Sequence, residues 1–148
     1  MISVQREPFD VAHEYKQLTG GDVESGAAVF FVGRVRARND GRRVSGLSLE
    51  HYPGMTEKAL EAIVSDARER WPLERVRVIH RVGPMALGEE IVFVGVTSSH
   101  RDASFQAAEF IMDYLKNRAP FWKQEQTEEG PTWVEAKAKD HEALGRWQ

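Results

Sequence analysis

The sequence predicts an α+β fold, and three observations carry that reading. Segments 56–71 and 99–116 repeat apolar residues at helical spacing. Segments 25–36 and 90–98 are instead short apolar runs of strand length, with AAVFFV and IVFVGV within them. The elements follow in the order β, α, ββ, α, ββ, which is not a regular βαβ alternation.

A chain of 148 residues fits one domain, 1–148, with a substantial core. With 41% hydrophobic and 29% charged residues it has the composition of an ordered soluble protein. The net charge of −3 argues against a surface that coats nucleic acid. There are no cysteines, which excludes disulfides, thiolate metal sites and a cysteine nucleophile. Any sulfur the protein handles must arrive on another molecule. The N-terminus MISVQREPFD shows no signal peptide, and the longest apolar runs are too short to span a bilayer, so a cytoplasmic protein with no membrane partner is expected.

Taken in order, Ile2–Arg6 alternates and reads as a short strand. Pro8–Leu18 holds a short helix with Phe9, Val11 and Tyr15 as its apolar points, and Thr19–Asp22 is a turn. Ser25–Arg36 is a strand expected to be buried on both faces, and Arg34 and Arg36, two apart, are expected on one side of it. Ala37–Arg43 is a polar loop in which Asp40-Gly41 suits a tight turn, and Val44–Tyr52 returns as a strand. In the helix Thr56–Trp71, Leu60, Ile63, Val64, Ala67 and Trp71 form one stripe, with Thr56 as the expected N-cap and Pro72 beyond the end.

Arg75–Val82 alternates as a strand with one partly wet face, and Gly83-Pro84 and Gly88 bracket a connection. Glu90–Ser98 is a second buried strand. Ser99–Lys116 is the second main helix; Ser99 and Asp102 resemble a capping box, and Phe105, Ala108, Met112 and Leu115 mark its apolar face. Phe121–Thr127 and Thr132–Ala136 are short strands around the turn 128–131, and the charged tail from Lys137 is helical or frayed.

The chemistry is expected around FIMDYLKNRAPFWK, Phe110–Lys123. Pro120 ends the helix and pushes Ala119 out of the α region. Lys116 therefore lies on the last helical turn and Lys123 just past a forced bend, where a chain that doubles back brings both amines toward one spot. Paired amines beside aromatic rings favour a neutral amine that can act as nucleophile or base. A lysine in a last helical turn is also favoured by the macrodipole alone.

Two further basic clusters stand out: Arg34, Arg36 and Arg38, and His100-Arg101 at a helix start. If they converge they form an anion site, through backbone N–H groups and guanidinium forks; if not, they are solvated strand ends. His51, His80 and His100 have no metal-ligand spacing, and His80 reads as a hydrogen-bonded core histidine. The sequence has no Gly-rich nucleotide motif, and no cofactor is expected.

Four blocks, LEHYPGMTEKAL, VIHRVG, EIVFVGVTSSHR and FIMDYLKNRAPFWK, closely resemble the large, catalytic subunits of molybdopterin synthases, within a similarity running from about Gly26 to Lys137. The resemblance implies an α/β hammerhead fold with an additional small antiparallel β-subdomain. It also implies a homodimer within a heterotetramer, each large subunit binding a small ubiquitin-like sulfur carrier. The carrier's C-terminal Gly-Gly thiocarboxylate would donate two sulfurs to cyclic pyranopterin monophosphate, forming the dithiolene of molybdopterin. The family's functional positions match at Arg36, His100, Arg101, Lys116, Lys123 and Glu125. Arg34 stands where the family carries a basic residue, and Lys137 where arginine is expected. Lys116 and Lys123 are the expected catalytic pair; Arg34, Arg36, His100, Arg101 and Glu125 join them in binding substrate. A non-catalytic dimeric scaffold that docks the same carrier is the alternative from another class. An RNA-binding domain is disfavoured by the acidic balance.

Overall fold

A computed structural model describes residues 1–39, 41–134 and 138–148. Strands β1 (Ile2–Gln5), β2 (Ala27–Arg34), β5 (Val76–Arg81) and β7 (Glu90–Ser98) form one sheet in the order β1-β5-β7-β2. β1 runs parallel to β5, while β5–β7 and β7–β2 are antiparallel. A second, antiparallel sheet is built on β4 (Arg42–His51), flanked by β8 (Phe121–Thr127) and β6 (Gly83–Ala86). β3 (Arg38–Asn39) forms a hairpin with the start of β4, and β9 (Gly130–Val134) pairs with β8. Helices α1 (Val11–Thr19), α2 (Met55–Arg70), α3 (Arg101–Arg118) and α4 (Ala138–Ala143) complete the α+β arrangement, with a 3₁₀ turn over Leu144–Trp147.

The main core lies where α2 and α3 cover the first sheet. Leu60, Ile63 and Ala67 of α2 meet Val78, Val94 and Val96, together with Ala107, Phe110 and Ile111 of α3. Val64 and Trp71 pack at its margin, so the stripe expected on α2 is the face that is buried. A smaller cluster, Val35, Leu47, Leu49, Val82 and Met85, joins the two sheets. β7 is buried along most of its length, as its apolar run predicts.

Several local expectations are corrected. β2 is an edge strand, not a strand buried on both faces: Phe30 and Phe31 are 41% and 43% exposed. An apolar run does not encode strand order, and the edge position leaves those rings only partly covered. β5 has no wet face beyond Arg77, because Ile79, His80 and Arg81 are all buried. Arg81 is tolerated there by donating to the Arg6 and Glu90 carbonyls and pairing with Glu89 at 3.2 Å. On α1 the buried residues are Glu14 and Leu18, while Tyr15 is exposed; Glu14 is paired with Arg77 of β5. Phe105 faces out of α3, whose core face runs instead through Ala107, Ala108, Ile111 and Leu115.

Both expected helix caps differ as well. α2 starts one residue earlier, with Gly54 at φ +85° as N-cap, a left-handed conformation that glycine adopts without steric cost. The Glu57 carboxylate accepts from the Gly54 N–H at 3.0 Å. Thr56 is fully buried instead; its hydroxyl accepts from Tyr52 N and donates to Pro120 O, each at 3.0 Å. At α3 the N-cap is His100, without a side-chain cap bond. Ser98, not Ser99, holds the entry: its hydroxyl accepts from His100 N and donates to Pro72 O.

The region 83–86, expected as a connection, is strand β6, and the expected loop 37–43 contains β3 and the start of β4. In its tight turn Gly41 has φ +78°, while Asp40 lies outside the described residues, as do Lys137 and the expected strand end 135–136. The tail is helical and anchored rather than frayed. Arg146 pairs with Glu109 and Asp113, and the Trp147 indole donates to Asp113 at 2.7 Å.

Candidate active site

The bend after α3 forms as proline chemistry requires. Ala119 is extended at φ −79°, ψ 130°, and the chain turns directly into β8. The hydrogen bond from the buried Thr56 hydroxyl to Pro120 O ties the bend to α2. Lys116 remains on the last helical turn, and Lys123 lies opposite Leu49 in the second sheet.

Both lysines line one cavity of about 610 Å³ between the two sheets and the C-terminal end of α3. Arg34, Arg36 and Glu125 line it too, as do apolar side chains such as Phe31, Met112 and Phe121. Arg34 ends β2 after an irregularity at Gly33, and Arg36 lies beyond the strand, so their placement does not come from strand alternation. The Arg34 Nε donates to Gly88 O at 3.3 Å. Arg38 is exposed and does not line the cavity. Glu125 is buried within the second sheet, opposite Leu47, and accepts from Asn39 at 2.9 Å.

His100 and Arg101 are not in this cavity. They lie at the opposite end of α3 from Lys116. At about 1.5 Å rise per residue, Arg101 and Lys116 are roughly 22 Å apart along the helix axis. One chain therefore brings together Arg34, Arg36, Lys116, Lys123 and Glu125 but not the third basic cluster. The chemistry available is that of cations and apolar walls, with the buried Glu125 carboxylate and the Asp140 carboxylate also lining the cavity, and the cations suit an anionic, ring-bearing molecule.

Two residues gain importance from the structure. Asn39 lay in what reads from sequence as a polar loop; its 4% exposure and its bonds to Arg36 and Glu125 carry no periodic signal. His80 is the hydrogen-bonded core histidine its strand position suggests, and it also forms part of the cavity wall. Its ring stacks on Phe121 at 3.9 Å between centroids. Nδ1 lies 2.9 Å from the Arg81 carbonyl, which can only accept, so Nδ1 carries the proton.

Burial lowers the His80 pKa from 6.5 to about 4; the Arg81 carbonyl opposes the shift, and the nearby positive charges of Lys116 and His51 add to it. The unfolded chain binds this proton near pH 6.5, whereas the folded chain does not until about pH 4. The stabilisation is therefore complete above pH 6.5 and is lost as pH falls toward 4, by up to about 3 kcal/mol. His80→Gln is expected to flatten that part of the profile, measured as the difference in urea unfolding free energy between the two proteins from pH 7 to 4. An unchanged slope would exclude His80 as its source.

The MoaE protein family model matches residues 4–118 of the chain. A molybdopterin synthase catalytic subunit of Yersinia pestis is 62% identical over 146 residues, covering 99% of this chain and 96% of the relative. Among solved structures, the molybdopterin biosynthesis MoaE protein from Burkholderia ambifaria superposes with a TM-score of 0.85 at 46% identity, covering 99% of this chain and 97% of its own. Molybdopterin synthase from Staphylococcus aureus gives a TM-score of 0.81 at 31% identity, covering 88% and 94% of the two chains.

Proposed function

The chain belongs to the MoaE protein family, and from that premise we propose that it is the catalytic subunit of a molybdopterin synthase. It acts as a sulfurtransferase that converts cyclic pyranopterin monophosphate to molybdopterin. Sulfur comes from the C-terminal thiocarboxylate of a small ubiquitin-like carrier whose Gly-Gly tail enters the cavity. The observation that carries this reading is that Lys116, Lys123 and two arginines line a single cavity next to a buried carboxylate. The absence of cysteine agrees with sulfur delivered on a partner's acyl group.

In this mechanism the thiocarboxylate sulfur attacks a carbon of the pterin substrate and displaces an oxygen substituent, which leaves as phosphate or water. The thioester so formed is cleaved at its carbonyl by water, leaving the sulfur on the substrate and the carrier as a carboxylate, and a second carrier repeats the exchange. Lys116 moves the proton that the attacked centre gains or loses, or accepts the carrier's acyl group transiently. Lys123 stabilises negative charge developing on the oxygen. Arg34 and Arg36 hold the phosphate, and the apolar walls hold the pterin ring. His100 and Arg101 serve the cavity of the second copy in a homodimer, since α3 carries them away from the cavity of their own chain. The cytoplasm is the compartment that fits this chemistry.

The test is reconstitution of the purified chain with thiocarboxylated carrier and cyclic pyranopterin monophosphate. Appearance of the dithiolene product is expected. A tight complex with the carrier but no product would overturn the enzymatic reading in favour of a docking scaffold.

A further inference from the structure

Arg36 is exposed, yet its terminal Nη2 is held: it donates to Asn39 Oδ1 at 2.9 Å. The Asn39 Nδ2 in turn donates to Glu125 Oε2, also at 2.9 Å, across a span of 86 residues. A guanidinium only donates and a carboxylate only accepts, so the amide has one orientation that satisfies both neighbours. Asn39 and Glu125 are 4% and 6% exposed. The β3–β4 hairpin fixes the Asn39 backbone opposite Arg42, and β8 fixes Glu125 opposite Leu47.

We propose that Asn39 is a positioning residue: its amide is a neutral spacer that orients Arg36 toward an anionic ligand and keeps it out of a direct ion pair with Glu125. This rests on the reading of the cavity as the site of a phosphate-bearing substrate. Without the spacer, a carboxylate and a guanidinium this close would form a forked pair that consumes an edge of the guanidinium and neutralises it. With the amide between them, Arg36 keeps its charge and its other N–H groups for a ligand. An aspartate at position 39 would set two carboxylates against each other, and an alanine would take the Asn39 donor from the buried Glu125 oxygen and draw the Arg36 guanidinium onto it.

Inorganic phosphate is the probe, its affinity measured by calorimetry on the wild-type chain and on Asn39→Ala, Arg36→Ala, the double variant of these two, and Asn39→Asp/Glu125→Gln. Asn39→Ala is expected to weaken phosphate binding about tenfold, the scale of one charge-assisted hydrogen bond. In the Arg36→Ala background it should add nothing, because the residue acts through Arg36. Asn39→Asp/Glu125→Gln keeps a hydrogen bond at each junction and should melt with the wild type. Even so, it should bind phosphate about tenfold more weakly, since Arg36 then faces a carboxylate directly. This second variant carries the test if Asn39→Ala does not fold. Wild-type phosphate affinity in either Asn39 variant, an undiminished loss in the Arg36→Ala background, or no phosphate binding by the wild-type chain would each overturn the proposal. Dithiolene turnover is read separately: a chain that binds phosphate but makes no product overturns the function and leaves the positioning role standing.

Discussion

Lys116→Ala is expected to lower dithiolene formation by on the order of 10³-fold, within the range for removing a general acid or base. The side chain stands on the last turn of α3, and the chain beyond it is fixed by the Pro120 bend and the Thr56 hydrogen bond. Shortening it to a methyl should therefore remove the amine without moving Lys123 or Arg36, and carrier affinity should stay within a few-fold of wild type. Lys116→Arg should fail as well, because a guanidinium stays protonated and cannot exchange a proton or accept an acyl group near neutral pH. Single-turnover assays with saturating thiocarboxylated carrier separate the chemical step from docking. Near-wild-type turnover in a folded Lys116→Ala chain would remove the residue from the mechanism and favour a scaffold.

What could be read before the structure depended on how local the determining physics is. The Pro120 bend is a single-residue steric effect, and Ala119 adopts the extended conformation it demands. The α2 stripe and the β7 run are short-range patterns, and both lie in the core. The edge position of β2 is not legible in the sequence, because a central strand and an edge strand can share one apolar run; only the sheet order β1-β5-β7-β2 exposes Phe30 and Phe31. β6 is not legible either, because Gly83 and Pro84 are turn residues by composition, and only pairing with β4 makes 83–86 a strand.

The site divides the same way. Lys116 and Lys123 are near in sequence and are joined by one bend, so their common cavity follows from local chain geometry. Asn39 and Glu125 are 86 residues apart, and their contact depends on two hairpins docking across β4. His100 and Arg101 share a helix with Lys116, and the length of that helix keeps them out of its cavity. A resemblance carries residue identities, but it does not say which of them one chain can bring together.

Phe110→Ala is expected to cost about 3–5 kcal/mol of unfolding free energy, the range for truncating a buried aromatic ring. Phe110 is 1% exposed and is the hub of the aromatic cluster that fastens α3 to α2 and to the tail. Its ring meets Trp71, the C-cap of α2, at 5.4 Å, Tyr114 at 4.6 Å and Trp147 at 5.5 Å between centroids, with the Arg70 guanidinium 4.8 Å from its centre. Truncation removes the buried apolar area and also these aromatic and cation–π contacts, each worth about 0.5–1.5 kcal/mol. A large void closes poorly between two helices already held by Leu60, Ile63 and Ile111. The melting temperature should fall by roughly 10 °C. Trp147→Ala, half-buried and at the chain end, should cost less. In a double-mutant cycle the two losses should sum to more than the double variant shows, because each removes the same ring contact. Equilibrium urea unfolding of the four proteins checks this. Strict additivity would mean that the tail is held without coupling to the Phe110 ring, through the Trp147 contact with Trp71, the Arg146 pairs with Glu109 and Asp113 and the Trp147 bond to Asp113. That outcome would leave the aromatic cluster as two independent halves, one fixing α2 and the other merely covering α3.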